Sequence, residues 1–335
     1  MEEISRMNII EQLHIDFAKE LSEVNKLILS NLECDEELIG EIGNYLVKSG
    51  GKRIRPLLTI LSSKLFNYDG TAHINLAAAT EFIHAATLLH DDVVDSSLLR
   101  RFKPTVNSLW GNQAAILVGD YLFSQAFRMM VSADSMESLR TLSNASATIA
   151  RGEVTQLAHI KSRKFLTQEE YFQTIEAKTS ELFASSCKVG AIVANAIDNE
   201  AESIYEYGKN VGLIFQIQDD LLDYFSNSSK MGKNIGDDFY EGKITLPIIE
   251  LQKQASDNDK KIIESIFVVR EERTEIELGL IIELLNKYNI QKEINLVVED
   301  LAKKAQSNLD KISSKNTKIK SYLEELIQFA SSRES

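Results

Sequence analysis

Proline occurs only three times in 335 residues, cysteine twice and tryptophan once. Proline removes a donor and clashes inside helices, so its scarcity leaves long stretches free to run as helix. The two cysteines, Cys34 and Cys187, stand alone without CxxC spacing. That excludes a disulfide framework and a thiolate zinc site, and it suits a reducing compartment. Uninterrupted apolar runs of membrane-spanning length are missing too. The most apolar stretches, Ala77–Leu89 and Ala114–Phe127, are broken by Glu81 and Asp120. The opening MEEISRMNIIEQ is acidic and has no apolar signal core, so a soluble, cytoplasmic chain without a membrane span is expected. Positive charge is also short, with 37 Lys and Arg against 50 Asp and Glu and a net charge of −13. Nucleic acid and anionic membrane surfaces are therefore poor general partners. An anionic substrate would need locally clustered cations or bound metal.

Helical periodicity is what the chain has in abundance. Apolar residues recur with a 3.6-residue period over Ile9–Leu32, Leu38–Lys48, Arg55–Phe66, Ile74–His90, Ala114–Val131, Leu139–His159, Tyr171–Ala196, Ala201–Phe225, Pro247–Gln254 and Ile290–Ile312. The punctuation agrees. Ser49-Gly50-Gly51 and Asn67–Gly70 read as breaks, Thr167-x-x-Glu170 as a capping box, and Thr245 with Pro247 as a helix start. No alternating β-branched run, internal repeat or Gly/Ser/Pro linker is present. The expectation is a single all-α domain over residues 1–335. Phe225–Gly242 is the one long non-periodic stretch, rich in Gly and Lys, and reads as a substrate-covering loop. The charged tail from Ser313 reads as a solvated helical cap.

Two aspartate clusters carry the chemistry. Asp91-Asp92-Val93-Val94-Asp95 follows the apolar helix Phe82–Leu89, and Asp219-Asp220-Leu221-Leu222-Asp223 follows an equally apolar one. In a helix Asp91 and Asp95 lie one turn apart on one face. Bare carboxylates there repel one another, and apolar surroundings raise the cost unless a cation joins them. All-oxygen ligands favour a hard ion, and Mg²⁺ takes one or two carboxylates plus water and substrate phosphate. A single DDxxD is weak; two, each ending an apolar helix, point to a metal-bound diphosphate. Cations for a second anion are available in Gly50-Gly51-Lys52-Arg53-Ile54-Arg55-Pro56, which lacks the remaining P-loop residues. Arg100-Arg101, Lys178-Thr179, Gln216, Lys233 and Lys243 are further candidates. Each alone reads as a surface residue or helix cap.

The ordered set GGKRIRP, LLHDDVVD followed by RR, AKTSELF, FQIQDDLLD and GKNIGDDFYEGKITLP resembles the trans-polyprenyl diphosphate synthases. The resemblance covers about residues 44–250, and VNSLWGNQAAILVGDYLFSQAFRMM is most similar to octaprenyl members of that family. It implies an antiparallel helical bundle around a deep cavity, usually a homodimer. It also implies a transferase joining isopentenyl diphosphate to an allylic diphosphate such as farnesyl diphosphate, with three Mg²⁺ ions when substrate is bound. Lys52, Arg55, His84 and Arg101 would hold isopentenyl diphosphate. Asp91, Asp92 and Asp95 would hold metal on one side, and Asp219 with Asp223 on the other. Arg100, Lys178, Thr179, Gln216, Lys233 and Lys243 would contact the allylic diphosphate, and the product would serve as a quinone side chain. Where the family commonly has Gly after the double Arg this chain has Phe102, so the loop there is expected to differ.

Product length is expected to follow the residues beneath the first cluster. Ala86 and Thr87 are small where short-chain members often carry an aromatic floor, which argues for a product longer than three units. Four alternatives compete. A terpene cyclase would mix Asn, Ser or Thr and Glu in its second motif and lack GGKRIRP. A di-iron carboxylate bundle matches Glu81-x-x-His84 and Glu11-x-x-His14 but leaves both DDxxD motifs unexplained. A shorter-chain synthase would carry the same motifs, and an inactive regulatory subunit would show degenerate ones. His73 and His159 read as structural, and Trp110 as packing.

Overall fold

The computed structural model describes residues 8–100, 103–225, 236–269, 272–314 and 316–332. The first helices are α1 (Ile9–Asp16), α2 (Ala18–Leu32), α3 (Glu37–Lys48), α4 (Ile54–Leu65) and α5 (Ala72–Val94). Then come a short antiparallel hairpin of β1 (Leu99–Arg100) and β2 (Lys103–Pro104), α6 (Val106–Trp110), α7 (Asn112–Ser132) and α8 (Met136–Ser162). Next are α9 (Gln168–Ile175), a π-helical turn (Glu176–Ser180), α10 (Glu181–Val193) and α11 (Asp198–Phe225). Short α12 (Asp237–Glu241), α13 (Leu246–Gln254), α14 (Asp257–Glu264) with a π-turn (Ser265–Val269), α15 (Glu275–Lys287), α16 (Ile290–Asp310) and α17 (Thr317–Ser331) complete the bundle. One contiguous apolar core runs from Ile9 to Ala330.

Local chemistry sets these boundaries. Thr167 Oγ1 accepts from the Glu170 N–H (3.2 Å) and Glu170 Oε2 accepts from the Thr167 N–H (2.7 Å), so the expected capping box opens α9. Gly50 at φ 72° and Asn67 at φ 56° take the left-handed conformation at the two expected breaks after α3 and α4. The periodic run Ile9–Leu32 splits at Phe17, whose backbone (φ −112°, ψ 23°) leaves the helical region. The run from Tyr171 is divided by the π-turn.

α5 runs on through Val94 with Asp95 as its C-cap, because no breaker precedes it, so the first aspartate cluster continues the helix. Two differences from the sequence reading have clear causes. The segment after Ser313 is not a solvated cap: α17 buries Ile319, Leu323, Leu326 and Ala330, and its Leu323 carbonyl accepts from the fully buried Tyr207 hydroxyl (2.8 Å). Its charges mark only the outer face of an amphipathic helix. The hairpin is a small β element that the helical pattern hid. It is fixed by Tyr45, whose hydroxyl donates to the Pro104 carbonyl (2.6 Å) and whose ring meets Trp110 edge-on. Trp110 is packing, as expected, and His73 is buried against the Tyr68 ring. Among the described residues no helix is long and apolar enough to cross a membrane.

Candidate active site

The C-terminal ends of α5 and α11 open onto a single cavity of ≈ 860 Å³. Asp91, Asp92 and Asp95 lie on one wall and Asp219, Asp220 and Asp223 on another. Lys52, Arg55 and His84 line it as well, and Ile28, Leu32, Leu46, Phe82 and Leu122 make its apolar part. Charged walls and an apolar interior in one continuous space suit a ligand with an anionic head and a hydrocarbon tail.

Helix geometry separates the three aspartates of the first cluster. Asp91 and Asp95 share a face, while Asp92 is rotated from it. Asp92 is buried and committed to Arg100, whose Nη2 and Nε lie 2.8 and 3.0 Å from its Oδ1. Asn107 Nδ2 donates to the Asp92 and Ser97 carbonyls (3.1 Å each), tying the returning hairpin to the end of α5. The Arg100 guanidinium is thus occupied by Asp92 here.

Two lysines reach the shared face, Lys178 at Asp91 and Lys243 at Asp95. Lys178 Nζ lies 2.7 Å from Glu153 Oε2 and 3.6 Å from Asp91 Oδ2. Lys243 Nζ lies 3.1 Å from Asp95 Oδ2, 3.9 Å from Asp238 Oδ1 and in closer contact with Glu241. Burial raises the Asp91 carboxyl above its ordinary range, opposed by the Lys178 charge. Burial, then the Asp91 charge, pushes Glu153 up to about 7. Burial disfavours the Lys243 charge, yet Asp238, Glu241 and Asp95 together hold its pKa above the lysine range.

The π-turn gives Lys178 and Thr179 their position. Such single-turn bulges displace side chains from the register of the flanking helix. The turn is seated on α8 at Gly152, where a Cβ would come within 2.9 Å of the Lys178 nitrogen and 3.0 Å of the Ala177 Cβ. From the same turn Thr179 Oγ1 donates to Gln216 Oε1 (2.7 Å), and Gln216 Nε2 donates to Asp220 Oδ1 (2.7 Å). Tyr171 donates to the other Asp220 oxygen (2.6 Å). Burial and the neighbouring Asp238 charge push the Asp220 carboxyl up to about 8. On the last turn of α11, Asp223 Oδ2 accepts from the Asp238 N–H (3.2 Å) and so anchors the start of α12.

The cationic turn before α4 faces the other side of the cavity. Arg53 adopts φ 50° and pairs with Glu81 on α5. Lys52 holds its carbonyl to His14 Nε2 (3.1 Å) and sets its ammonium over the Phe329 ring of α17 (5.2 Å). The Arg55 guanidinium stacks on Phe183 (4.6 Å).

A family model described as Polyprenyl synthetase matches residues 36–285. The chain belongs to the polyprenyl synthetase family. It is 41% identical to the octaprenyl diphosphate synthase of Escherichia coli over 76% of this chain and 79% of that one. It is 34% identical to the geranylgeranyl diphosphate synthase of Saccharolobus solfataricus over 96% and 98%. Among solved structures, a polyprenyl synthase from Caulobacter crescentus complexed with calcium and isoprenyl diphosphate superposes with a TM-score of 0.92. It is 39% identical and covers 97% of this chain and 98% of that chain. Members of this family are prenyl diphosphate synthases, and the chain is accordingly a transferase with an all-α isoprenoid-synthase fold.

Of the residues singled out in the sequence, the fold brings Lys52, Arg55, His84, Thr87, Asp91, Asp92, Asp95, Arg100, Lys178, Thr179, Gln216, Asp219, Asp223 and Lys243 to one cavity. Arg101, Phe102 and Lys233, with most of the expected covering loop, lie outside the described residues. Ala86 differs from the expectation: it is fully buried, and Ala85, Thr87 and Leu88 form the wall of α5 there. His159 also differs. It lines the cavity, with Nδ1 3.4 Å from Thr174 Oγ1. The di-iron alternative loses its ligands, since Glu11 caps α1 through Asn8 and Glu81 pairs with Arg53. Sequence reasoning missed Glu153, Glu241, Asp238 and Tyr171. The available signal was Gly152, the one glycine of α8, in a setting where glycine costs about 1 kcal/mol relative to alanine unless another backbone must come close.

Proposed function

We propose that this chain is a Mg²⁺-dependent octaprenyl diphosphate synthase, adding isopentenyl diphosphate in trans, head to tail, to an allylic diphosphate such as farnesyl diphosphate. The observation that carries the reading is the shared cavity, lined by Asp91 and Asp95 from α5, by Asp219 and Asp223 from α11, and by Lys52, Arg55 and apolar side chains. The all-oxygen donors of the two clusters fit Mg²⁺, which takes one or two carboxylates and completes its shell from phosphate and water. Asp91 and Asp95 would hold it from α5, and Asp219 and Asp223 from α11. When bound, it supplies Lewis-acid neutralisation of the diphosphate leaving group.

The chain's own groups do the rest. Lys178, Lys243, Thr179 and Gln216 sit where negative charge grows as the allylic diphosphate departs, and fixed cations and dipoles in a water-poor cavity stabilise that charge strongly. Lys52, Arg55 and His84 hold isopentenyl diphosphate so that its double bond faces the allylic C1, which converts a bimolecular encounter into an oriented one. The apolar walls keep water from the allylic cation. The proton lost in forming the new double bond goes to the departing diphosphate, so no nucleophilic side chain is required. Exposed Ile116, Leu117, Phe127 and Val131 on α7 offer an apolar surface for the homodimer implied by the family resemblance.

The test is incubation of purified protein with farnesyl diphosphate and radiolabelled isopentenyl diphosphate, with and without Mg²⁺, followed by product sizing. A Mg²⁺-dependent ladder ending at octaprenyl diphosphate is expected. Asp91→Ala should lower kcat by about 10²-fold or more with helical content retained. Equal incorporation without divalent metal, or normal turnover by the variant, sinks the reading.

A further inference from the structure

Both lysines at the aspartate pair sit closer to a glutamate outside the DDxxD motifs than to the motif aspartate they also meet. Lys178 is 2.7 Å from Glu153 but 3.6 Å from Asp91. Lys243 is nearer Glu241 than Asp95, at 3.1 Å. The glutamates come from separate elements, α8 and α12, one beside the lysine at Asp91 and the other beside the lysine at Asp95. A lysine resting on Asp91 would be a competitor, because one ammonium and one divalent cation cannot take the same carboxylate oxygens. A charge-assisted hydrogen bond to a nearby second carboxylate removes that competition while leaving the cation beside the site.

We propose that Glu153 is a positioning residue that parks Lys178 off Asp91, keeping the Asp91–Asp95 face open for a divalent cation and the ammonium ready for the diphosphate. Glu241 stands in the same relation to Lys243 and Asp95. Three features of the fold serve this arrangement. Gly152 lets α8 approach the π-turn to backbone contact, so the adjacent Glu153 meets Lys178 directly. The π-turn offsets Lys178 from the register of α9 and α10. Glu153, Lys178 and Asp91 are all mostly shielded from solvent, so their charges act on one another with little screening. The proposal rests on the assignment of Asp91 and Asp95 to the cation.

The experiment is Mn²⁺ binding to the substrate-free protein, followed by electron paramagnetic resonance, in a double-mutant cycle of Glu153→Gln and Lys178→Met. Glu153→Gln should weaken Mn²⁺ binding about fivefold or more when Lys178 is present, and leave it unchanged when Lys178 is replaced by Met. In turnover, the Mg²⁺ concentration for half-maximal rate should rise in Glu153→Gln while KM for isopentenyl diphosphate stays within about twofold. Equal weakening in both backgrounds would mean that Glu153 acts only as added negative charge or as a ligand, and overturns the proposal, as does no weakening at all. Should Glu153→Gln fail to fold, Glu153→Asp must give a smaller shift with the same dependence on Lys178. Asp91→Asn separates the underlying reading: Mn²⁺ binding unchanged in that variant overturns the cation assignment and the parking role together.

Discussion

Asp220 faces a different electrostatic problem from Asp91 and Asp95, although all belong to the same type of motif. It is fully enclosed, with both oxygens already accepting hydrogen bonds from Tyr171 and Gln216. Burial and Asp238 raise its pKa from 3.8 to about 8. Between those values the folded chain keeps a proton that the unfolded chain has released. Stability therefore falls as pH rises through that window, because folding is favoured where the native state binds the extra proton. Asn at this position would remove the titration and keep the network, since its amide can donate to Gln216 if the Gln216 amide turns over, with Tyr171 still donating to its carbonyl. Metal-free Asp220→Asn should show a flatter decline of Tm between about pH 5 and about pH 9 than the parent chain. Thermal unfolding followed by circular dichroism across that range checks this, and parallel declines in the two proteins would remove Asp220 as the cause.

At the scale of elements, α4 and α10 form the joint that relates the two halves of the site. Lys52 lies in the turn just before α4 and Arg55 in its first turn, and Lys178 and Thr179 in the turn that leads into α10. The helices touch at Gly190, where a Cβ would lie 2.3 Å from the Thr59 carbonyl oxygen and 2.9 Å from the Ser62 Cβ. Thr59 Oγ1 also donates to the Ser186 carbonyl across the joint (3.0 Å). Gly190→Ala gains about 1 kcal/mol of intrinsic helix preference but must push backbone aside, and overpacking costs about 1–3 kcal/mol. The backbone oxygen cannot rotate away as a side chain could, so the net effect is loss. Urea unfolding should show a lower midpoint with unchanged m-value, and KM should rise for both substrates because both half-sites shift. A rise for one substrate alone would show that the joint does not couple them.

The legible and illegible parts of the molecule divide at this same scale. Apolar periodicity gave away α4, α5, α7, α8 and α11, because each buries a broad stripe against neighbours and few breakers interrupt it. The two DDxxD clusters were legible because bare carboxylates ending apolar helices call for a cation. The π-turn was not legible, since Glu176–Ser180 has no residue that excludes ordinary helix; the insertion is set by the approach of α8 at Gly152. Glu153 and Glu241 were hidden for a similar reason, as a helical glutamate is ordinarily solvated and only the fold sets these two against lysines. α14 was overlooked and the burial of α17 misjudged because their outer faces carry many charges; α15 was simply not picked out.

For the whole molecule the open variable is depth. Relatives 41% and 34% identical make octaprenyl and geranylgeranyl diphosphates respectively, so the scaffold and its motifs do not set product length by themselves. On the proposed function the growing chain would run from the aspartates into the apolar part of the cavity, which α5 and Leu122 of α7 line. From Asp95 back to Phe82, α5 alone covers about 20 Å, room for several isoprene units. Ala86 lies fully buried just behind the wall of Ala85, Thr87 and Leu88. A ring introduced there has no space where the methyl now sits, and interiors this well packed yield toward the nearest void. That void is the cavity. Ala86→Tyr should therefore shorten the product by one or more units. Leu122→Ala removes bulk from the facing wall and should shift the products toward greater length, with a stability loss of about 2–5 kcal/mol as in other buried leucine truncations. Sizing of radiolabelled products under excess isopentenyl diphosphate checks both. Opposite shifts would show that steric depth ends elongation. An unchanged distribution in both variants would move the decision to the rate of product release, because a chain that leaves before it meets the wall cannot register where the wall stands.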